Sequence, residues 1–151
     1  MGETFFNRLK DIVATRKLPK PHLYQKNTFD IDYKKCTPGL IPIAQLLETL
    51  INAKVTMLNG APLQVQLLPL GYSLLIYPTR YNYDSIYISF DNVTSTFGLD
   101  SSTNKSGTLR VSSLETIEGA LADKLGMYVA SLGYFDKSIY SKKSQEVIGI
   151  E

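Results

Sequence analysis

The first apolar residues of the chain recur with the period of an α-helix. The spacing places them on one face and predicts an amphipathic helix that ends before Pro19 and Pro21, because proline stops a helix and favours an extended path. The predicted face consists of Phe5, Phe6, Leu9, Ile12 and Val13.

A second helix is predicted after the Pro38-Gly39 break, with Pro42 in its first turn, where proline is tolerated. Its broad apolar face indicates a core helix. The face consists of Ile43, Leu46, Leu47, Leu50 and Ile51.

A third and longest helix is predicted from Ser112, which has capping-box spacing to Glu115, to a stop at Gly133. Gly119 and Gly126 lie inside it, and each costs up to about 1 kcal/mol relative to alanine in a helix. The pattern therefore predicts that another segment comes close to this face. The apolar stripe comprises Leu114, Ile117, Leu121, Leu125, Tyr128 and Leu132.

The middle of the chain alternates apolar and polar residues, the pattern of half-buried strands. Asn59-Gly60 between apolar runs predicts a hairpin with a type I′ turn, since both residues tolerate positive φ. Pro62 predicts that the next strand begins at, or runs along, a sheet edge. The polar stretch 94–107 is predicted to be a long loop. Strands are predicted at 63–67, 73–77, 85–93 and 108–112.

These elements predict one α+β domain spanning residues 1–151. Its sheet is a mainly antiparallel meander of about four to six strands, packed by two or three helices. The composition is that of an ordinary globular protein, with 44% hydrophobic and 20% charged residues.

An extended arm is predicted at 18–37, and it is basic. The first 35 residues carry a net charge of +4, whereas residues 111–151 carry −2. Tyrosines at a predicted turn could add a second contact, because aromatic side chains with a polar group are enriched in protein interfaces. The candidate partner-binding residues are Arg16, Lys17, Lys20, Tyr24, Lys26, Lys34, Lys35, Tyr81 and Tyr83.

Little in the sequence indicates catalysis, a metal site or a cofactor. Cys36 and His22 are the only cysteine and histidine, so neither a disulfide nor a zinc cluster is expected. Asp30 and Asp32 lie on the same side of an extended segment and offer at most two oxygen ligands. We expect a protein that is not an enzyme and that needs no cofactor.

We therefore expect a non-enzymatic assembly subunit, such as a virion component or an adaptor, whose basic arm and first helix lie on a neighbouring subunit. Protein partners in a homo- or hetero-oligomer are expected. The alternative is a small nucleic-acid-binding domain that uses the basic arm, where lysines and aromatic residues alternate. With no apolar run long enough for a membrane span and no signal peptide, we expect a reducing, cytoplasmic location or an assembled particle.

Overall fold

The described part of the chain comprises residues 2–15, 26–78, 85–101 and 109–132 of a computed structural model, and most of its strands follow one another between the second and third helices. The helices are α1 (Glu3–Ala14), α2 (Ile41–Asn52) and α3 (Leu114–Gly126), and short 3₁₀ turns cover Tyr33–Lys35 and Pro38–Leu40. The strands are β1 (Thr28–Asp30), β2 (Thr56–Met57), β3 (Gln64–Leu67), β4 (Ser73–Tyr77), β5 (Ile86–Asp91), β6 (Thr96–Ser101), β7 (Leu109–Val111) and β8 (Val129–Ser131).

The main sheet has six strands in the order β1-β3-β4-β5-β6-β7. All of its neighbouring strands are antiparallel except β1 and β3, which run parallel with Phe29 opposite Val65. The strands β3, β4 and β5 follow one another as the predicted meander, which continues through β6 and β7. The α+β class and the mainly antiparallel sheet are confirmed.

The hairpin predicted at Asn59-Gly60 is wrong. The strand before this turn, β2, pairs with β8 in a separate two-stranded sheet, and the Thr56 hydroxyl lies 2.7 Å from that of Ser131. Gly60 does adopt a positive φ of 77°, and the Asn59 side-chain oxygen accepts the Ala61 N–H. Asn59 and Gly60 thus form a turn, but it connects β2 of the two-stranded sheet to β3 of the six-stranded sheet instead of joining two paired strands.

The loop predicted at 94–107 is wrong over Thr96–Ser101, which form β6. This strand pairs with β5 along its whole length and with β7 on its other side. Phe97 and Leu99 alternate into the core, and the Phe97 ring packs edge-on against Phe90, with centroids 5.0 Å apart. The sequence pattern did not reveal this strand, because the polar residues Thr96, Asp100 and Ser101 flank its two apolar positions, which keep the ordinary period of two. Residues 102–107 lie outside the described residues.

The third helix is shorter than predicted and begins one residue later. Its N-cap is Ser113, whose hydroxyl accepts the Thr116 N–H at 3.2 Å, rather than Ser112. It ends at Gly126, because Val129–Ser131 form β8 beside β2. Tyr128 and Leu132 therefore do not belong to the helical stripe, and Gly133 lies outside the described residues.

Helix α1 packs on α3 of the same chain, whereas the sequence predicts that it lies on a neighbouring subunit. Phe5, Phe6 and Leu9 are buried in the core. The close approach predicted at the α3 glycines is real, because a Cβ on Gly126 would lie 2.8 Å from the Ile12 Cδ1 atom. A Cβ on Gly119 would have more room, with Thr4 at 3.9 Å.

A buried carboxyl group on α3 caps the first turn of α1. The N-cap position of α1 is Gly2, which has no capping side chain, and the first-turn N–H groups of a helix need acceptors. Glu118, only 4% exposed, accepts the Phe5 N–H through Oε1 at 3.3 Å. Burial raises the pKa of Glu118, and the Phe5 N–H partly offsets that rise.

Asn27 joins three segments at the start of β1. Its Nδ2 donates to the Val55 carbonyl at 2.9 Å, and its Oδ1 accepts the Leu63 N–H at 2.7 Å. The side chain is 5% exposed, so these bonds meet the requirement that buried polar groups be paired. The arm segment is thereby fixed to β3 and to the connection after α2.

None of the helices in the described ranges is both long and apolar enough to cross a membrane.

The two α3 glycines give a matched pair of substitutions. We expect Gly126→Ala to lower the free energy of unfolding by about 1 kcal/mol, because its Cβ overlaps the branched Ile12 side chain and overpacking exceeds the helix-propensity gain. Gly119→Ala has room for its Cβ and should raise stability by up to about 1 kcal/mol. Urea unfolding measures both, and equal shifts for the two variants would contradict the close contact at Gly126.

Glu118 predicts a pH dependence of stability. Its folded pKa lies above the unfolded value of about 4.3, so folding favours the protonated form. The contribution of Glu118 to the free energy of unfolding is therefore greatest when the pH is below the unfolded pKa, and it is lost as pH rises through the folded pKa. Glu118→Gln keeps an acceptor but does not titrate. The stability of the variant relative to wild type should rise between pH 4 and pH 7 in denaturant unfolding, and a constant or falling difference would contradict this assignment.

Candidate interaction surface

The structure describes some of the predicted partner-binding residues and separates them. Lys26 precedes β1, while Lys34 and Lys35 follow it in the 3₁₀ turn, so they stand beyond opposite ends of this strand. All three are exposed. The remaining candidates lie outside the described residues: Arg16, Lys17, Lys20, Tyr24, Tyr81 and Tyr83. His22 also lies outside them.

The end of the predicted arm, residues 26–37, is part of the domain. Phe29 on β1 and Tyr33 pack against the core cluster, and their ring centroids lie 6.2 Å apart. The Tyr33 hydroxyl donates to Glu48 on α2 at 2.8 Å. Burial, followed by this bond to Glu48, raises the pKa of the Tyr33 phenol. Over these residues the arm therefore lies on its own sheet and on α2.

The acidic residues of this segment have local roles. The Asp32 carboxylate accepts the Lys34 N–H at 3.0 Å and so caps the 3₁₀ turn. Asp30 lies exposed on β1. Among the described residues no three of the metal-ligating types His, Cys, Asp and Glu come together.

The Cys36 side chain is buried among the core residues. It is 6% exposed, and burial raises the pKa of the Cys36 thiol. A nucleophilic cysteine needs the opposite shift, because the thiolate is the reactive form. Cys36 therefore lacks the environment that activates a nucleophile.

The segment after Cys36 holds together one end of the main sheet, where the β3–β4 and β5–β6 turns lie side by side. The Thr37 N–H donates to the Gly71 carbonyl, and the Thr37 hydroxyl donates to Asn92 Oδ1, both at 2.9 Å. The Phe90 N–H donates to the Tyr72 carbonyl at 3.0 Å. Gly71 has a φ of 82°, and a Cβ there would overlap the Lys35 carbonyl oxygen. These contacts fix both turns and the 3₁₀ turn against one another.

Large apolar side chains project into solvent from these two turns. Leu70 is 85% exposed, Tyr72 is 48% exposed and Val93 is 93% exposed. Tyr72 and Val93 line an open depression of about 370 Å³ together with Ser89, Asp91 and Arg110. We call Leu70, Tyr72, Asp91, Val93 and Arg110 the turn-end patch.

Opposite charges lie together in the turn-end patch. The Asp91 carboxylate accepts the Val93 N–H at 2.8 Å, and this bond, followed by that from Thr94, lowers its pKa. The positive charge of Arg110 lowers the pKa of Asp91 further. Asp91 is therefore ionised at neutral pH, next to a guanidinium group and exposed apolar side chains.

The sequence pattern did not predict this patch, because it indicated the basic arm and the turn with Tyr81 and Tyr83 as the contact residues instead. A signal was present, since Leu70 stands between Pro69 and Gly71, where a turn is predicted and a large apolar residue is not needed. The contribution of Arg110 could not be found from local sequence, because it comes from β7, far along the chain.

Comparison of the chain with protein-family models, with curated proteins and with solved structures finds no match in any of the three.

Proposed function

We propose that this protein is a non-enzymatic assembly subunit that binds other protein molecules through the turn-end patch. A virion component or an adaptor in a multi-subunit complex has this kind of role. The proposal rests on one observation: exposed Leu70, Tyr72 and Val93 lie on neighbouring turns instead of being scattered.

Clustering is what gives these side chains weight. Single exposed apolar residues are common on protein surfaces and need no explanation. An aromatic residue with apolar neighbours inside a polar rim has the composition of an interface centre. Here Tyr72 and Val93 border the depression, while Asp91 and Arg110 supply the polar rim.

A fixed backbone also supports binding by this surface. The hydrogen bonds from Thr37 to Gly71 and Asn92 join the two turns before any partner arrives. A preformed surface binds with a smaller entropy cost than a segment that orders on contact.

Nucleic-acid binding by the basic arm stays the alternative. Its phosphate contacts would come mainly from Arg16, Lys17 and Lys20, outside the described residues. In the described part, Lys34 and Lys35 lie within five residues of Asp30 and Asp32, and these carboxylates weaken attraction to phosphate. No described feature favours this alternative over protein binding.

The double variant Leu70→Asp/Val93→Asp tests the proposal. We expect wild type to form a defined complex, with itself or with a protein recovered by pull-down from its native source. The double variant should bind at least about 10-fold more weakly, because interface-centre substitutions cost about 1 kcal/mol or more each. Light scattering and titration of the isolated components measure size and affinity.

Met127→Asp is the matched control, since Met127 is 59% exposed and follows the last residue of α3 rather than belonging to either turn. This variant should associate like wild type, and circular dichroism should show that all variants fold. A strict monomer from which no partner is recovered would contradict the proposal. So would equal binding by the double variant and wild type.

A further inference from the structure

The turn-end patch has a charge pattern that fits a copy of itself. Asp91 and Arg110 line the same depression, one on β5 and the other on β7. Among the described residues, Arg8 and Asp123 lie within ion-pair distance, whereas Asp91 and Arg110 interact at longer range and form no direct ion pair. Arg110 is exposed and Asp91 is half-buried, so both charges also face a molecule that covers the depression.

A two-fold contact between identical chains imposes a specific requirement. The same surface occurs on both sides, so a residue that contacts a second residue of the partner is matched by the reverse contact. A patch of one charge sign repels its copy. In a patch with one acidic and one basic group, the two-fold axis can place the acidic group of each chain opposite the basic group of the other.

We infer that the occupant of the turn-end patch is a second copy of this chain, bound about a two-fold axis with Arg110 opposite the partner's Asp91. This inference rests on the proposed function and names the partner. In the contact, Leu70, Tyr72 and Val93 of the two protomers cover one another between the two charge pairs. The balance of charges in the patch distinguishes this occupant from a strongly acidic or basic one.

The dimer is weak and reversible. Stable interfaces bury roughly 800 Å² per partner, and a few turn residues cover less than that. Exposed ion pairs add little affinity, although like charges placed opposite one another cost more. We therefore expect a dissociation constant on the order of micromolar or higher.

Sedimentation velocity of the full chain from low micromolar to submillimolar concentration tests the inference. Wild type should convert reversibly from monomer to dimer. Arg110→Glu places a carboxylate opposite the partner's Asp91 and should weaken the dimer at least about 10-fold. Val93→Asp should also weaken it, because its side chain is 93% exposed and lies in the contact.

A second substitution separates a specific charge contact from general damage. Adding Asp91→Asn to Arg110→Glu keeps a side-chain oxygen for the Val93 N–H but removes the repulsion, so part of the lost dimerisation should return. Lys26→Glu is the charge control. Lys26 is exposed and precedes β1, whereas the residues that contact the two turns follow β1. This variant should dimerise like wild type.

The outcomes separate this inference from the proposed function. A chain that stays monomeric at every concentration overturns the inference, and so does a dimer unaffected by Arg110→Glu and Val93→Asp. If such a chain binds a different protein and patch variants lose that binding, the proposed function stands with another occupant. If no binding depends on the patch, both are overturned.

Discussion

The contact between residues 35–37 and the two turns of the sheet is the constraint on which the candidate surface depends. Gly71 lets the chain approach so closely that a side chain in its place would overlap the Lys35 carbonyl. That approach brings Thr37 within hydrogen-bond distance of both Gly71 and Asn92. Because the bonds link separate parts of the sequence, the β3–β4 and β5–β6 turns are held as one surface. The exposed apolar residues sit on backbone that is already positioned.

The helices α1 and α3 and the turn end of the sheet differ in how far their apolar side chains are buried. At the helical layer, α1 is fastened to α3 by buried aromatic residues, by the close contact at Gly126 and by the Glu118 cap. Among the described residues, Phe5, Phe6 and Leu9 of α1 are buried within the chain. At the turn end, Leu70 and Val93 stay almost fully exposed. The contrast supports the proposal that the sheet turns, rather than the buried face of α1, form the contact surface.

Local patterns predicted the elements well and their tertiary pairing poorly. The apolar faces of α1 and α2 and the strands around Leu74 and Ile88 follow from spacing alone, because burial sets their periods. The partner of β2 did not follow, since Asn59-Gly60 specifies a turn but not which strands meet. Strand β6 was hidden because only Phe97 and Leu99 mark its buried face. The patch combines turn residues with Arg110 from β7, a juxtaposition that only the folded chain supplies.

Dilution of isotope-labelled protein, followed by two-dimensional amide NMR, tests most directly whether the chain associates through its sheet turns. The account predicts concentration-dependent shifts that are confined to the neighbourhood of Leu70, Tyr72, Val93 and Arg110, with α1 and α3 unchanged. Shifts centred on the helices, or spectra identical at all concentrations up to the submillimolar range, would contradict it.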